Sequence, residues 1–292
     1  MQNSLILIAN NSGKKKTKGK ASKVFNFSDV HFYDMTHAEE QELKPMPASG
    51  AEVIALIEKY DIRNFGESAD SVAEKIKTVR ASEFGERYLM VDALEADPAI
   101  MHENWLLHNK TDLIDLGIKA VKKTCNFTRT AIVSRFDDIQ IKNVSIRKID
   151  FEESRPSDAE LIKKSFDVDL EEGSNEENGV LVLNVQTVIT IGLAASGVDP
   201  TTRFFTLANF GIGEAKVVRA PFGYFGADIL NRVYGKQPEL RSYAGPGALN
   251  AYPLELFPEV DYTTELICYA KDPAQVALEE SQKTWWQKRR NK

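Results

Sequence analysis

The stretch that most limits how this chain can fold is an apolar run, Tyr88-Leu89-Met90-Val91, leading directly into Asp92-Ala93-Leu94-Glu95-Ala96-Asp97-Pro98. A short unbroken apolar run reads as a strand buried on both faces, the pattern of a parallel sheet. After it, Leu106, Leu107, Leu113, Ile114, Ile118 and Val121 recur at helical spacing and predict one long helix over 103–123. Thr130-Ala131-Ile132-Val133 is a second buried strand, and Val144-Ser145-Ile146 a third. Strand, helix, strand is the order of a parallel βαβ unit, so the fold class is α/β. Ligands of open α/β sheets bind outside the carboxyl ends of the strands. Asp92, Glu95 and Asp97 stand at such an end. Carboxylates this close repel one another, so they are placed either to meet a ligand or to cap the helix that follows.

The flanking segments follow the same logic. Ser49 and Glu52 have capping-box spacing and predict a helix over about 50–60. A loop, Ile62 to Ser71, leads to a second helix at Val72 to Lys77. The acidic stretch 171–178 is a seam, after which Gly179 to Ile189 passes from strand to helix. Beyond Pro200, Arg203 to Ala208 and Ala215 to Ala220 form a hairpin around Gly211-Ile212-Gly213. A short helix at 226–233 and a strand at 240–244 follow. Hairpin, helix and strand suggest a β-grasp unit. The expected division is a polar, lysine-rich segment with short strands (1–45), a Rossmann-like domain (46–178), a connecting strand and helix (179–200), a β-grasp domain (201–265), and a C-terminal helix with a basic tail (266–292).

Charge and cysteine content exclude several function classes. Net charge is −6, with Lys14 to Lys23 and Lys288 to Lys292 basic, so the body between them is more acidic than the total. That argues against a broad nucleic-acid surface. The basic ends and Trp285-Trp286 are left for partner proteins or the inner face of a membrane. No apolar run reaches the roughly 18 residues of a membrane span, and the first residues lack the cationic start of a signal peptide. A cytoplasmic setting is expected. Two cysteines, Cys125 and Cys268, give no iron–sulfur or zinc spacing, and Cys125 reads as a small buried residue. His102 and His108, six apart on a helix, share no face, so no metal site is expected of them and surface or helix-start roles are assigned.

Taken in order, these pieces resemble the RnfC subunit of ion-pumping electron-transport complexes, a relative of NqrA and of the flavin subunit of complex I. The resemblance covers about residues 25–265 and rests on the succession of elements more than on any single motif. It implies a Rossmann-like FMN- and NADH-binding domain followed by a small β-grasp domain of the SLBB type. The family's strand end, Asn-Ala-x-Glu-x-Glu-Pro, is matched by Asp92, Ala93, Glu95, Asp97 and Pro98, and its Asn-Val-x-Thr by Asn184, Val185 and Thr187. By that resemblance Gly66, Asp92, Glu95, Asp97, Asn184 and Thr187 are the cofactor-binding residues, with FMN and NADH as cofactors and other subunits of a redox complex as partners.

The chain departs from the family at one loop. Where the family has Gly-Leu-Gly-Gly-Ala-Gly-Phe-Pro-Thr, this sequence has Asn64-Phe65-Gly66-Glu67-Ser68-Ala69-Asp70-Ser71-Val72. Glycines there let backbone amides approach a phosphate, whereas Glu67 and Asp70 repel one. Two readings follow. One is a retained flavin or NADH site in an electron-transport subunit. The other is a non-catalytic docking or assembly subunit that works through the β-grasp unit and the basic, tryptophan-bearing tail.

Overall fold

The computed structural model of the protein describes residues 30–36, 43–66, 68–95, 97, 99–150, 155–248, 250–256 and 259–272. Glu67, Pro98, the lysine-rich stretch at 14–23, Trp285-Trp286 and the basic end lie outside these residues. The elements run β1 (His31–Asp34), α1 (Gly50–Lys59), α2 (Val72–Ala81), β2 (Tyr88–Asp92), α3 (His102–Asn109), α4 (Thr111–Thr124), β3 (Arg129–Ser134), β4 (Ser145–Lys148), α5 (Asp158–Phe166), β5 (Val180–Asn184), α6 (Val185–Ala195), β6 (Thr202–Asn209), β7 (Glu214–Pro221), α7 (Gly226–Tyr234), β8 (Arg241–Gly245), β9 (Tyr252–Pro253) and β10 (Leu266–Ala270).

Strands β4-β3-β2-β5 form a wholly parallel sheet in that order. Alternation places Leu89, Val91, Ile132, Leu181 and Leu183 against α1, α2, α4 and α6 on one face. Tyr88, Met90, Ala131, Val133, Val180 and Val182 meet Leu161, Ile162 and Phe166 of α5 on the other. Both faces are covered, as an all-parallel sheet requires. The capping box of α1 forms as its spacing predicts: Glu52 N donates to Ser49 Oγ at 3.3 Å, and Ser49 N to Glu52 Oε2 at 3.0 Å. The acidic stretch before β5 does not part it from the sheet, since Tyr88 to Asp92 pair with Val180 to Asn184 residue for residue.

The second sheet is mixed, in the order β1-β7-β6-β10-β8-β9. Hairpin β6–β7 and antiparallel β8 flank a central β10 that runs parallel to β6, the strand arrangement of a β-grasp. Phe205, Leu207, Val218, Ile267 and Tyr269 face α7, while Phe204, Ala208, Val217, Leu266 and Cys268 join the core of the parallel domain.

Two expectations are corrected. The helix predicted over 103–123 is two helices broken at Lys110, whose backbone leaves the helical region (φ −133°, ψ 31°). Asn109 Nδ2 donates to Trp105 O at 2.9 Å, a side-chain bond that competes with helix continuation. The C-terminal helix expected from 266 gives way over Leu266–Ala270 to β10. All of its residues are buried, because it has hydrogen-bonded neighbours on both edges and packed layers on both faces.

Candidate functional site

The carboxyl ends of β2 and β5 lie side by side, with Asp92 in register with Asn184. Asn184 ends its strand and starts a helix in one step: its Oδ1 accepts from Gln186 N at 2.8 Å, capping α6. The 62–71 loop lies against this rim through Asn64. Asn64 Oδ1 accepts from Asn184 N and from Thr187 Oγ1, both at 2.9 Å. Thr187 Oγ1 in turn accepts from Phe65 N at 2.9 Å. Phe65 is buried, tilted against Tyr262 at 5.0 Å and stacked with Phe222 at 6.2 Å. Gly66 has φ +126°, a conformation that favours glycine, and its N–H donates to Tyr262 O at 3.2 Å.

The acidic strand end is equally engaged. Asp92 accepts from Leu94 N at 3.0 Å and pairs with Arg155, which also holds Asp158 at 3.2 Å. Burial raises the Asp92 carboxyl above its ordinary value despite Arg155. Glu95 accepts from the backbone and side-chain amides of Asn104, three residues into α3. It thus satisfies an N–H that a helix start leaves open. Asp97 Oδ1 accepts from Ala99 N at 2.8 Å, and its side chain fills the space a Cβ on Gly247 would take, 2.7 Å away. Loop, strand end and helix cap therefore meet at one rim through Asn64, Asp92, Asn184 and Thr187. Glu95 and Asp97 are bonded instead to the start of α3 and its approach.

A second constellation, which the sequence reading missed, lies where the two sheets join. His102 and Glu103 open α3, Arg203 and Thr206 lie on β6, and Glu265 precedes β10, all buried. Arg203 donates to Glu265 Oε1 at 3.2 Å, to Asp261 O at 2.6 Å and to Phe204 O at 3.2 Å, with Phe65 beneath its guanidinium at 4.9 Å. His102 Nδ1 is 3.1 Å from Thr206 Oγ1. His102 Nε2 is 2.9 Å from Glu265 Oε2, yet off the line a hydrogen bond needs. Glu103 accepts from Asn184 Nδ2, which ties this cluster to the rim. His102 does open α3, as the helix-start reading expected, but it is a core residue with no exposed area and not a surface one. The signal available in the sequence was a charge beside each apolar run: Arg203 before Phe204-Phe205, and Glu265 before Leu266-Ile267.

Burial dominates the electrostatics. It pushes Glu103 well above the ordinary 4.5 of a glutamic acid, and Glu265, Asp92 and Glu95 push it further. It pushes His102 below 6.5, more than Glu265 restores. Burial would raise Glu265 too, but Arg203 and His102 outweigh it and hold that carboxyl below 4.5. A raised carboxyl binds a proton on folding, so its contribution falls as pH climbs from the unfolded value towards the folded one. His102 acts oppositely below its own 6.5. Comparison with Glu103→Gln isolates the carboxyl. The variant's urea midpoint should gain on the wild type steadily as pH rises from about 5 to about 8. A constant difference between the two proteins would contradict this assignment.

Two surface hollows are found elsewhere. One of about 260 Å³ is lined by Asp70, Glu74, Lys75 and Glu176; one of about 190 Å³ by Arg80, Arg87 and Cys125. Neither touches the rim or the buried cluster. Among the described residues no helix is long and apolar enough to cross a membrane.

No protein-family model matches the chain, and no curated protein matches it in sequence. Its fold is similar to solved chains of NAD+-reducing [NiFe]-hydrogenase. For the air-oxidised state the TM-score is 0.54 at 11% identity, over 78% of this chain and 48% of that one. For the H2-reduced state it is 0.57 at 12% identity, over 76% and 47%. The chain thus spans about half the length of these structures, and the likeness is one of fold.

Proposed function

We propose that this protein is a non-catalytic subunit of an NAD-linked redox complex, with the RnfC-like fold kept and the flavin rim closed by the chain's own side chains. The observation that carries the reading is Asn64. Its carboxamide accepts from Asn184 N and from Thr187 Oγ1, two residues expected to face an isoalloxazine ring. Asp92, Glu95 and Asp97 are likewise bonded within the chain. A flavin entering here would have to displace these bonds, and each buried polar group left unmatched costs about 1–3 kcal/mol. The fold likeness to a hydrogenase that reduces NAD+ supports the redox setting. The β-grasp sheet, of the SLBB type by resemblance, offers the surface for neighbouring subunits, at the cytoplasmic side of a membrane where that complex is membrane-bound.

The test uses the full chain. The purified protein should be colourless, and its melting temperature should not move with FMN, FAD, NAD+ or NADH. Purified natively from its source, it should co-elute with proteins that carry flavin or iron–sulfur centres. Stoichiometric FMN in the isolated chain would overturn the closed rim; a chain that elutes free of any redox protein would overturn the setting.

A further inference from the structure

We infer that His102, Glu103 and Glu265 form a binding site for one divalent transition-metal ion of the zinc class, which would staple the helical layer to the β-grasp sheet. One ligand atom from each of the three lies within 4.8 Å of the other two, and all three residues are buried. His102 Nε2 and Glu265 Oε2 are 2.9 Å apart. Two ligands of a tetrahedral ion with bonds of about 2.1 Å stand about 3.4 Å apart, so binding would open that edge by about 0.5 Å.

Two further observations point to an ion. His102 Nε2 has no exposed surface, and the carboxylate oxygen it faces, Glu265 Oε2 at 2.9 Å, is poorly aligned for a hydrogen bond. Glu103 is a buried acid that accepts from a neutral amide, Asn184. Buried carboxylates are ordinarily paired with a cation or coordinate a metal. Around the three ligands stands a set of orienting groups of the kind metal sites use. Thr206 Oγ1 holds His102 Nδ1; when that nitrogen carries the proton, Nε2 presents a lone pair. Arg203 holds Glu265 Oε1 and leaves Oε2 towards the histidine. Asn184 holds Glu103 Oε1. Imidazole with two carboxylates suits zinc or manganese better than magnesium. Two carboxylates balance the ion's charge, while Arg203 adds one positive charge at the outer edge and limits affinity. Closure from solvent makes the role structural: α3 and the approach to β10 would be joined by metal bonds. The inference does not depend on the proposed function, and the flavin titration does not bear on it.

The experiment takes the full chain, strips it with chelator, equilibrates it with zinc chloride and counts zinc after desalting. One ion per chain is expected, with a melting temperature raised by zinc and not by magnesium. Cobalt(II) should give a visible d–d spectrum. His102→Gln and Glu103→Gln should each weaken zinc by about tenfold or more and abolish the cobalt spectrum. Glu103→Gln keeps an oxygen for the Asn184 amide, so it decides the matter if His102→Gln does not fold. Wild type that retains no zinc, or Glu103→Gln that retains it with an unchanged cobalt spectrum, would overturn the site.

Discussion

Replacing Gly117 with alanine should lower the stability of this protein by about 3 kcal/mol or more, at or beyond the upper end for overpacking a core. Gly117 sits in α4 where it crosses α6. A Cβ built on it would lie 1.9 Å from Val188 O and 2.5 Å from Val188 C. Across the same crossing, a Cβ on Gly192 would lie 2.6 Å from Gly117 N. The two helices therefore touch backbone to backbone. The obstructing atoms belong to a buried helix, so relief requires the helices to separate rather than a side chain to rotate. That separation would disturb the start of α6, where Asn184 and Thr187 hold Asn64. Gly85→Ala serves as the control, since a Cβ there meets nothing within 4 Å, and its effect should stay within about 0.5 kcal/mol. Urea unfolding of the three proteins checks the claim. Equal midpoints for Gly117→Ala and wild type would show that the crossing can yield.

What the sequence made legible was local. The buried strands at 88–92 and 130–133, the capping box at Ser49, the strand-to-helix step at Asn184 and the β6–β7 hairpin each follow from patterns contained in a few residues. That the ends of β2 and β5 meet was implied by the family resemblance and not by the residues, since periodicity does not say which strands pair. The break at Lys110 escaped notice because apolar spacing continues through it; the turn of one residue out of helical backbone is something periodicity does not register. β10 escaped because a five-residue apolar run carries no mark of helix or strand on its own. The buried charges were out of reach for a different reason. His102, Arg203 and Glu265 lie on α3, β6 and the approach to β10, far apart along the chain, and only the packing of one sheet's helices against the other sheet brings them together.

Arg203 and Glu265 form a buried ion pair where β6 meets the approach to β10. Replacing Glu265 with alanine should cost about 3–5 kcal/mol, the range for removing one partner of a buried ion pair. The loss would exceed the bond itself. Arg203, 1% exposed, would keep the carbonyls of Asp261 and Phe204 and the ring of Phe65, but would lose the one carboxylate it bonds directly among the described residues. Its desolvated charge is the source of the penalty. Replacing both residues with methionine removes the charge with the partner, and such replacements are often neutral or stabilising. The double variant should therefore recover most of what Glu265→Ala loses, measured by denaturant midpoint at neutral pH. If the double variant is as unstable as the single one, the cost lies in the side-chain shapes at the sheet junction and not in an orphaned guanidinium. Glu265→Gln separates the last possibility: it keeps an oxygen for Arg203 without the charge. A midpoint between those of wild type and Glu265→Ala would assign part of the pair's stability to Coulomb attraction and the rest to hydrogen bonding. The pair would then lock β6 to the approach to β10 within the β-grasp sheet, as the Gly117 crossing locks α4 to α6.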